Sequence, residues 1–113
     1  ISNNILNKVK QVKYNFKEIY IYCAAIHGVA TLNILQKNNL KIKLLIDDNV
    51  NIEKQTMVNV GIVKGASFFR KKKGKISKML ILVCQQTIET FGKIAKKLKL
   101  NGFKSNQIVN VRF

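Results

Sequence analysis

The run KMLILVC at 78–84 constrains the fold more than any other stretch. An extended strand sends alternate side chains to opposite faces, and here both faces are apolar, the mark of a central strand. Around it lie further strand-like segments. EIYIYCAA (18–25) is rich in β-branched and aromatic residues. VATLNIL (29–35) puts Ala30, Leu32 and Ile34 on one face, and LKIKLLI (40–46) alternates with Lys41 and Lys43 on its wet side. Between those two, KNN reads as a tight turn, because asparagine tolerates positive φ. The three segments together predict an antiparallel meander. Asp47-Asp48-Asn49 reads as the next turn, TMVNVGIV (56–63) as a fourth strand and NQIVNVRF as a short last one.

Two segments carry helical periodicity. Ser2 is placed to cap a first helix with Ile5, Val9 and Val12 inside and Lys8, Lys10 and Lys13 outside. In TIETFGKIAKKLK (87–99), Ile88, Phe91, Ile94, Ala95 and Leu98 form one apolar stripe, and Asn101-Gly102 follows as a stop signal. Gly92 borders that stripe, where a missing side chain would let helix and sheet approach closely. The expectation is one α+β domain over 1–113, a mostly antiparallel sheet with two helices packed on it.

The charge points outward to a partner. Twenty-one Lys and Arg against five acids leave +16, yet 47% of the residues are hydrophobic, so the chain is no disordered basic tail. A compact body with that charge repels itself, and a polyanion offsets the repulsion. Residues 64–113 hold thirteen of the cations against the single Glu89, so the binding face belongs mainly to this half. Nineteen of the cations are lysines, which favours phosphate neutralisation over bidentate reading of bases. On the second helix Lys93, Lys96 and Lys97 lie off the apolar stripe with Lys99 at its margin, and only Glu89 offers an i, i+4 partner, to Lys93. In FFRKKKGK (68–75), Arg70, Lys71, Lys72, Lys73 and Lys75 suit phosphate. Phe68 and Phe69 beside them either stack on unpaired bases or anchor the loop to the core.

Little here suggests catalysis. No Gly-rich phosphate loop leads from a strand into a helix, and no nucleophile–base–acid set is visible. Asp47-Asp48 lacks a third ligand and reads as a turn. His27 has no Cys/His/Asp cluster around it, so no metal or other cofactor is expected. Cys23 and Cys84 fall in apolar runs and read as buried thiols rather than a disulfide staple. No run approaches the ~18 apolar residues of a membrane span, no signal-peptide core opens the chain, and no small-molecule substrate is expected. A start at Ile1 rather than Met suggests a processed product or a missing N-terminus. Abundant Asn, Ile and Lys with no proline reflect AT-rich codons, as in an organelle or an AT-biased genome.

Helix, meander, strand, basic loop, strand, helix and strand, in that order, resemble the second domain of the large-subunit ribosomal protein L-six family. Its signature helix, roughly D-K-Q-x-V-G-Q-x-A-A-x-L-R, aligns with TIETFGKIAKKLK without a gap. Gly92 and Ala95 are identical, Phe91 and Leu98 stay apolar, and Lys99 replaces the arginine, while Thr87, Glu89 and Lys96 depart from the pattern. LKIKLLIDDNV keeps Leu40, Ile42, Leu44 and Val50 of L-x-L-x-L-G-x-S-H-P-V. ILNKVKQVKYNFKEIYI keeps Ile5, Val9, Val12 and Phe16 of a further family segment. GFKSNQI keeps Phe103, Lys104 and Ile108 of the P-Y-K-G-K-G-I loop.

The resemblance implies a structural component of the large ribosomal subunit, bound to rRNA near the sarcin–ricin region beside neighbouring ribosomal proteins. Loss of the family's other domain, with the AT-biased composition, implies a mitochondrial ribosome. On this reading Lys93, Lys96, Lys97, Lys99, Lys104, Arg70, Lys71, Lys72, Lys73, Lys75 and Arg112 contact RNA. Two alternatives stand beside it. KLKLNGFKSNQIVNV is also similar to the tail of the small-subunit S-eleven family, although GASFFRKKKGKIS cannot supply that family's long Ala-rich helix. The other is a stand-alone basic nucleic-acid-binding domain or small nuclease.

Overall fold

The computed structural model describes residues 2–12, 15–23, 26–49, 56–57, 59–72, 76–85 and 87–111. Its elements run α1 (Ser2–Val12), β1 (Glu18–Tyr22), α2 (Ile26–Lys37), β2 (Leu44–Asp47), β3 (Thr56–Met57), β4 (Val60–Lys64), α3 (Gly65–Lys71), β5 (Met79–Cys84), α4 (Ile88–Leu100) and β6 (Ile108–Val111). The strands line up in the order β3-β4-β2-β1-β5-β6. Every pair from β4 to β6 is parallel, and only the two-residue β3 runs antiparallel, on the outer edge of β4.

This overturns the mostly antiparallel α+β expectation; the chain is an α/β domain. The error lies at 29–35, where Ala30, Leu32 and Ile34 alternate as in a strand. That segment belongs to α2, which buries Gly28, Thr31, Leu32 and Leu35 at helical spacing. A helix between β1 and β2 supplies the crossover that parallel strands need, so no meander forms. KNN still turns, with Asn39 at φ +63, but it ends a helix: Leu40 N–H donates back to the Leu35 carbonyl. Likewise 65–71, expected as a loop, is α3, with Gly65, Ser67 and Phe68 buried. Helices thus cover both faces of the sheet instead of two helices packing on it.

Strand alternation sorts the core into two layers. Ile19 and Ile21 of β1, Leu45 of β2 and Leu80 and Leu82 of β5 meet Ile5 and Val9 of α1 and Leu32 and Leu35 of α2. On the other face Tyr20, Tyr22, Ile46, Ile81 and Val83 meet Phe68 of α3 and Ile94 and Leu98 of α4. β5 is buried along its whole length between β1 and β6, the central position expected of it. α4 also starts and stops where expected. Thr87 Oγ1 accepts from the Thr90 N–H, and Gly102 takes φ +95 beyond the C-terminus. Gly92, however, faces open space: a Cβ there would meet nothing within 4 Å, and Ile88 is exposed. The expected close approach of helix and sheet at Gly92 is absent, because the buried stripe narrows to Ile94, Ala95 and Leu98.

Candidate nucleotide-binding crevice

In an open parallel sheet, ligands bind outside the C-terminal strand ends, at the point where successive strands depart in opposite directions. Here β2 and β4 lie on one side of β1, and β5 and β6 on the other. The switch point is therefore between β1 and β5. A crevice opens there in two adjoining lobes that share Cys23, Gln85 and Thr90. One lobe, about 280 Å³, is lined by Asp47, Asp48, Lys93 and Lys97. The other, about 400 Å³, reaches His27, Cys84 and Thr87.

Leaving β1, the chain turns at Cys23, whose φ of +97 is a glycine-like value, and whose N–H donates to the Ile46 carbonyl at 2.6 Å. Gly28 follows in the first turn of α2. A Cβ on Gly28 would fall 1.8 Å from the Cys23 carbonyl oxygen. Cys23, Ala25 and Gly28 stand at the spacing of the three glycines in the dinucleotide fingerprint G-x-G-x-x-G. The first position needs the tight turn and the third the close packing of helix on strand. Both geometries are present, although only the third residue is glycine. The motif is hidden in the sequence because Cys23 and Ala25 stand where it has glycines. The spacing after a strand was the available signal, together with acids about 20 residues further on.

Those acids are Asp47, the last residue of β2, and Asp48. Asp47 closes the turn by accepting the Asn49 N–H at 2.8 Å. Asp48 Oδ1 accepts the Tyr22 hydroxyl at 2.8 Å, and its Oδ2 accepts from Lys97 Nζ at 3.0 Å. Burial, reinforced by the Asp48 carboxylate, pushes the Tyr22 phenol well above its usual range, so the hydroxyl stays a donor. Gly65 makes room for the pair, since a Cβ there would lie 2.1 Å from Asp48 Oδ1 and 2.5 Å from the Tyr22 oxygen.

The lysines expected at a phosphate divide into groups. Lys93 and Lys97, one turn apart on α4, face the crevice, and Lys93 also pairs with Glu89 at 3.7 Å. Lys96, Lys99 and Lys104 are exposed outside it. Arg70 reaches back to Ser67 within α3, and Lys71 at its end borders a groove on the same face of the sheet, at the starts of β1, β2 and β5. Lys72 donates to the Asn101 carbonyl at 2.8 Å and lies over the Phe103 ring, which ties α3 to the end of α4. Phe68 packs on Tyr20 and Phe103, and Phe69 on Tyr22, so both rings anchor the core. Lys73, Lys75 and Arg112 lie outside the described residues.

No protein-family model matches the chain, and no curated protein sequence does. Two solved structures share its fold. The UDP-D-quinovosamine 4-dehydrogenase of Vibrio fischeri superposes with a TM-score of 0.62 at 20% identity, over 85% of this chain and 78% of that one. RSP, a Rex-family repressor, superposes with a TM-score of 0.59 at 14% identity, over 97% of this chain and 60% of that one. At these identities the likeness is one of fold: a doubly wound α/β domain of the Rossmann kind.

Proposed function

We propose that the chain is a nucleotide-binding domain that takes a phosphorylated nucleoside in the crevice over β1 and β5. Asp47 and Asp48 at the end of β2 accept hydrogen bonds from ribose hydroxyls. The N-terminus of α2, with Lys93 and Lys97 opposite, faces the phosphate. The observation that carries this reading is the Cys23–Gly28 contact, which packs α2 against the end of β1 as the fingerprint requires. Ala25 replaces the glycine that lets the backbone approach a pyrophosphate, so more of the phosphate attraction falls to the two lysines, acting as point charges. This departs from the expectation of no small-molecule ligand. Isothermal titration with ADP, UDP and NAD tests it. Saturable one-to-one binding of at least one, lost with Asp47→Ala and Asp48→Ala together, is expected. Binding weaker than ~1 mM for all three overturns it.

A second reading keeps the rRNA partner, as a structural component of a mitochondrial large subunit. The L-six resemblance rests here on its aligned segments, since the sheet is parallel rather than mostly antiparallel. The charge still favours a polyanion: Lys96 and Lys99 form an exposed outer face on α4, with Lys104 just beyond it. Co-sedimentation with large subunits tests this reading. On either reading the chain binds rather than catalyses.

A further inference from the structure

The parallel register of β1 and β5 sets Ile21 opposite Leu82 and Tyr22 opposite Val83. Cys84 is the last residue of β5, and Cys23 is the first residue past the end of β1, where the chain turns. The last paired residues, Tyr22 and Val83, sit at the ~4.8 Å strand spacing, close to the Cα separation of about 4.4–6.8 Å that a disulfide spans, and the two cysteines follow them directly. Both cysteines also belong to the core layer under α1 and α2. Ile21 and Leu82, two residues earlier, pack toward α1 and α2, and Cys84 and Cys23 pack in the same cluster. Both are thiols in this structure. They line the same lobe of the crevice, which opens to solvent and admits a reagent.

We infer that Cys23 and Cys84 form a dithiol modification site, oxidised reversibly to an intramolecular disulfide by a low-molecular-weight disulfide such as glutathione disulfide. Cys23 is half-buried and Cys84 is only 1% exposed, so Cys23 is the attacking thiol. Its sulfur, as thiolate, bonds to one sulfur of the oxidant; the oxidant's S–S bond breaks, and the first small thiol leaves with the proton that Cys23 gave up. Cys84 then attacks the Cys23 sulfur, the mixed disulfide breaks, and the second small thiol leaves with the Cys84 proton. The protein loses two electrons and two hydrogens, and the oxidant is reduced to two thiols. In the reduced chain the Cys84 S–H donates to Thr31 Oγ1 at 3.4 Å, and Thr31 donates on to the His27 carbonyl at 2.8 Å. Oxidation withdraws that hydrogen from the first turns of α2 and straps the end of β1 to the end of β5 across the crevice. The site stands whatever ligand the crevice takes.

The test is made on the full, folded chain. Reduced protein is incubated with glutathione disulfide, quenched with N-ethylmaleimide, and read by intact mass and peptide mapping. The expected product has lost two hydrogens, takes up no maleimide, maps to a Cys23–Cys84 link and returns to dithiol with dithiothreitol. Folding should speed the link roughly tenfold or more over the same reaction in denaturant, since it holds the sulfurs at high effective concentration. Cys84→Ser should trap glutathione on Cys23. Full alkylation of both cysteines after oxidation, a link between chains, equal rates in native and denatured protein, or no adduct on Cys84→Ser would each overturn the inference.

Discussion

The Tyr22 hydroxyl donates to Asp48 Oδ1 at 2.8 Å, tying the end of the first strand to the turn after the second. Tyr22 is buried and Asp48 half exposed, so the bond closes the inner wall of the crevice while one carboxylate oxygen remains for Lys97. Tyr22→Phe should cost ~0.5–1.5 kcal/mol, the net worth of a hydrogen bond. Asp48→Ala should cost about 1 kcal/mol, because water can reach part of the vacated site. The double variant should cost less than the sum, the sign of a direct coupling. Urea unfolding of the four proteins measures this, and strict additivity would refute the coupling.

Alkaline pH should weaken the fold. Burial pushes the Cys84 thiol from 9.0 up to about 12, and burial with carboxylate neighbours raises Tyr20 and Tyr22 as well. These groups hold their protons more tightly folded than unfolded. Their contribution is complete below about pH 9 and falls as pH rises through the unfolded values toward the folded ones. Each group adds a slope of at most roughly 1.4 kcal/mol per pH unit. Stability measured between pH 8 and 11 should therefore hold to about pH 9 and decline above it, and Cys84→Ala should flatten the part that begins near pH 9.

Two glycines should respond oppositely to the same substitution. At Gly28 the new methyl meets the Cys23 carbonyl, a backbone group that cannot swing aside. Gly28→Ala should cost ~3 kcal/mol or more, beyond the usual range of overpacking. At Gly92 nothing stands near the new methyl, and alanine is the better helix former. Gly92→Ala should stabilise by about 1 kcal/mol. Thermal melts of both variants check the pair; destabilisation by Gly92→Ala would restore the close-packing reading of that residue.

Cys23 occupies a backbone conformation that suits glycine, at φ +97. A non-glycine residue there stores ~1–3 kcal/mol, while glycine's extra freedom in the unfolded chain returns ~0.5–1 kcal/mol. Cys23→Gly should thus stabilise by about 1 kcal/mol, whereas Cys23→Ala should not, since it keeps the Cβ. Denaturant midpoints of the two variants distinguish relief of strain from loss of the thiol.

Local signals in the sequence were legible where each pointed to one structure. β5 reads as central because six apolar residues in a row cannot lie at an edge, and α4 reads as a helix because its apolar stripe recurs at helical spacing and Asn101-Gly102 follows as a stop. Topology was lost at two segments, 29–35 and 65–71, each a helix that carries the chain between parallel strands. In 29–35, period-two alternation and the helical spacing of Gly28, Thr31, Leu32 and Leu35 coexist, and the strand reading removes the crossover that makes the sheet parallel. The crevice was lost for a related reason: Cys23 adopts a glycine's backbone conformation without being glycine, which only the folded chain reveals. The lysines were legible as charge, but the division of α4 into a crevice side and an outer side depends on where the sheet lies.

That division separates the nucleotide and rRNA readings. Lys93 and Lys97 face the crevice, one paired with Glu89 and the other with Asp48, at side-chain exposures that make these ion pairs worth at most ~1 kcal/mol to the fold. Lys96 and Lys99 point away from it and are exposed. Reversing either pair to glutamate should therefore leave the protein folded, as circular dichroism would show. If the crevice holds a nucleotide, Lys93→Glu with Lys97→Glu should weaken binding by about tenfold or more, and Lys96→Glu with Lys99→Glu should leave it nearly unchanged. If rRNA lies on the outer face, the second pair should weaken binding to an rRNA fragment. The slope of log affinity against log salt should then fall by roughly one for each lost phosphate contact. Titrating both double variants with ADP and with the fragment gives four affinities. Equal losses for both ligands from both pairs would mean that the lysines act as one diffuse charge, and neither site would stand.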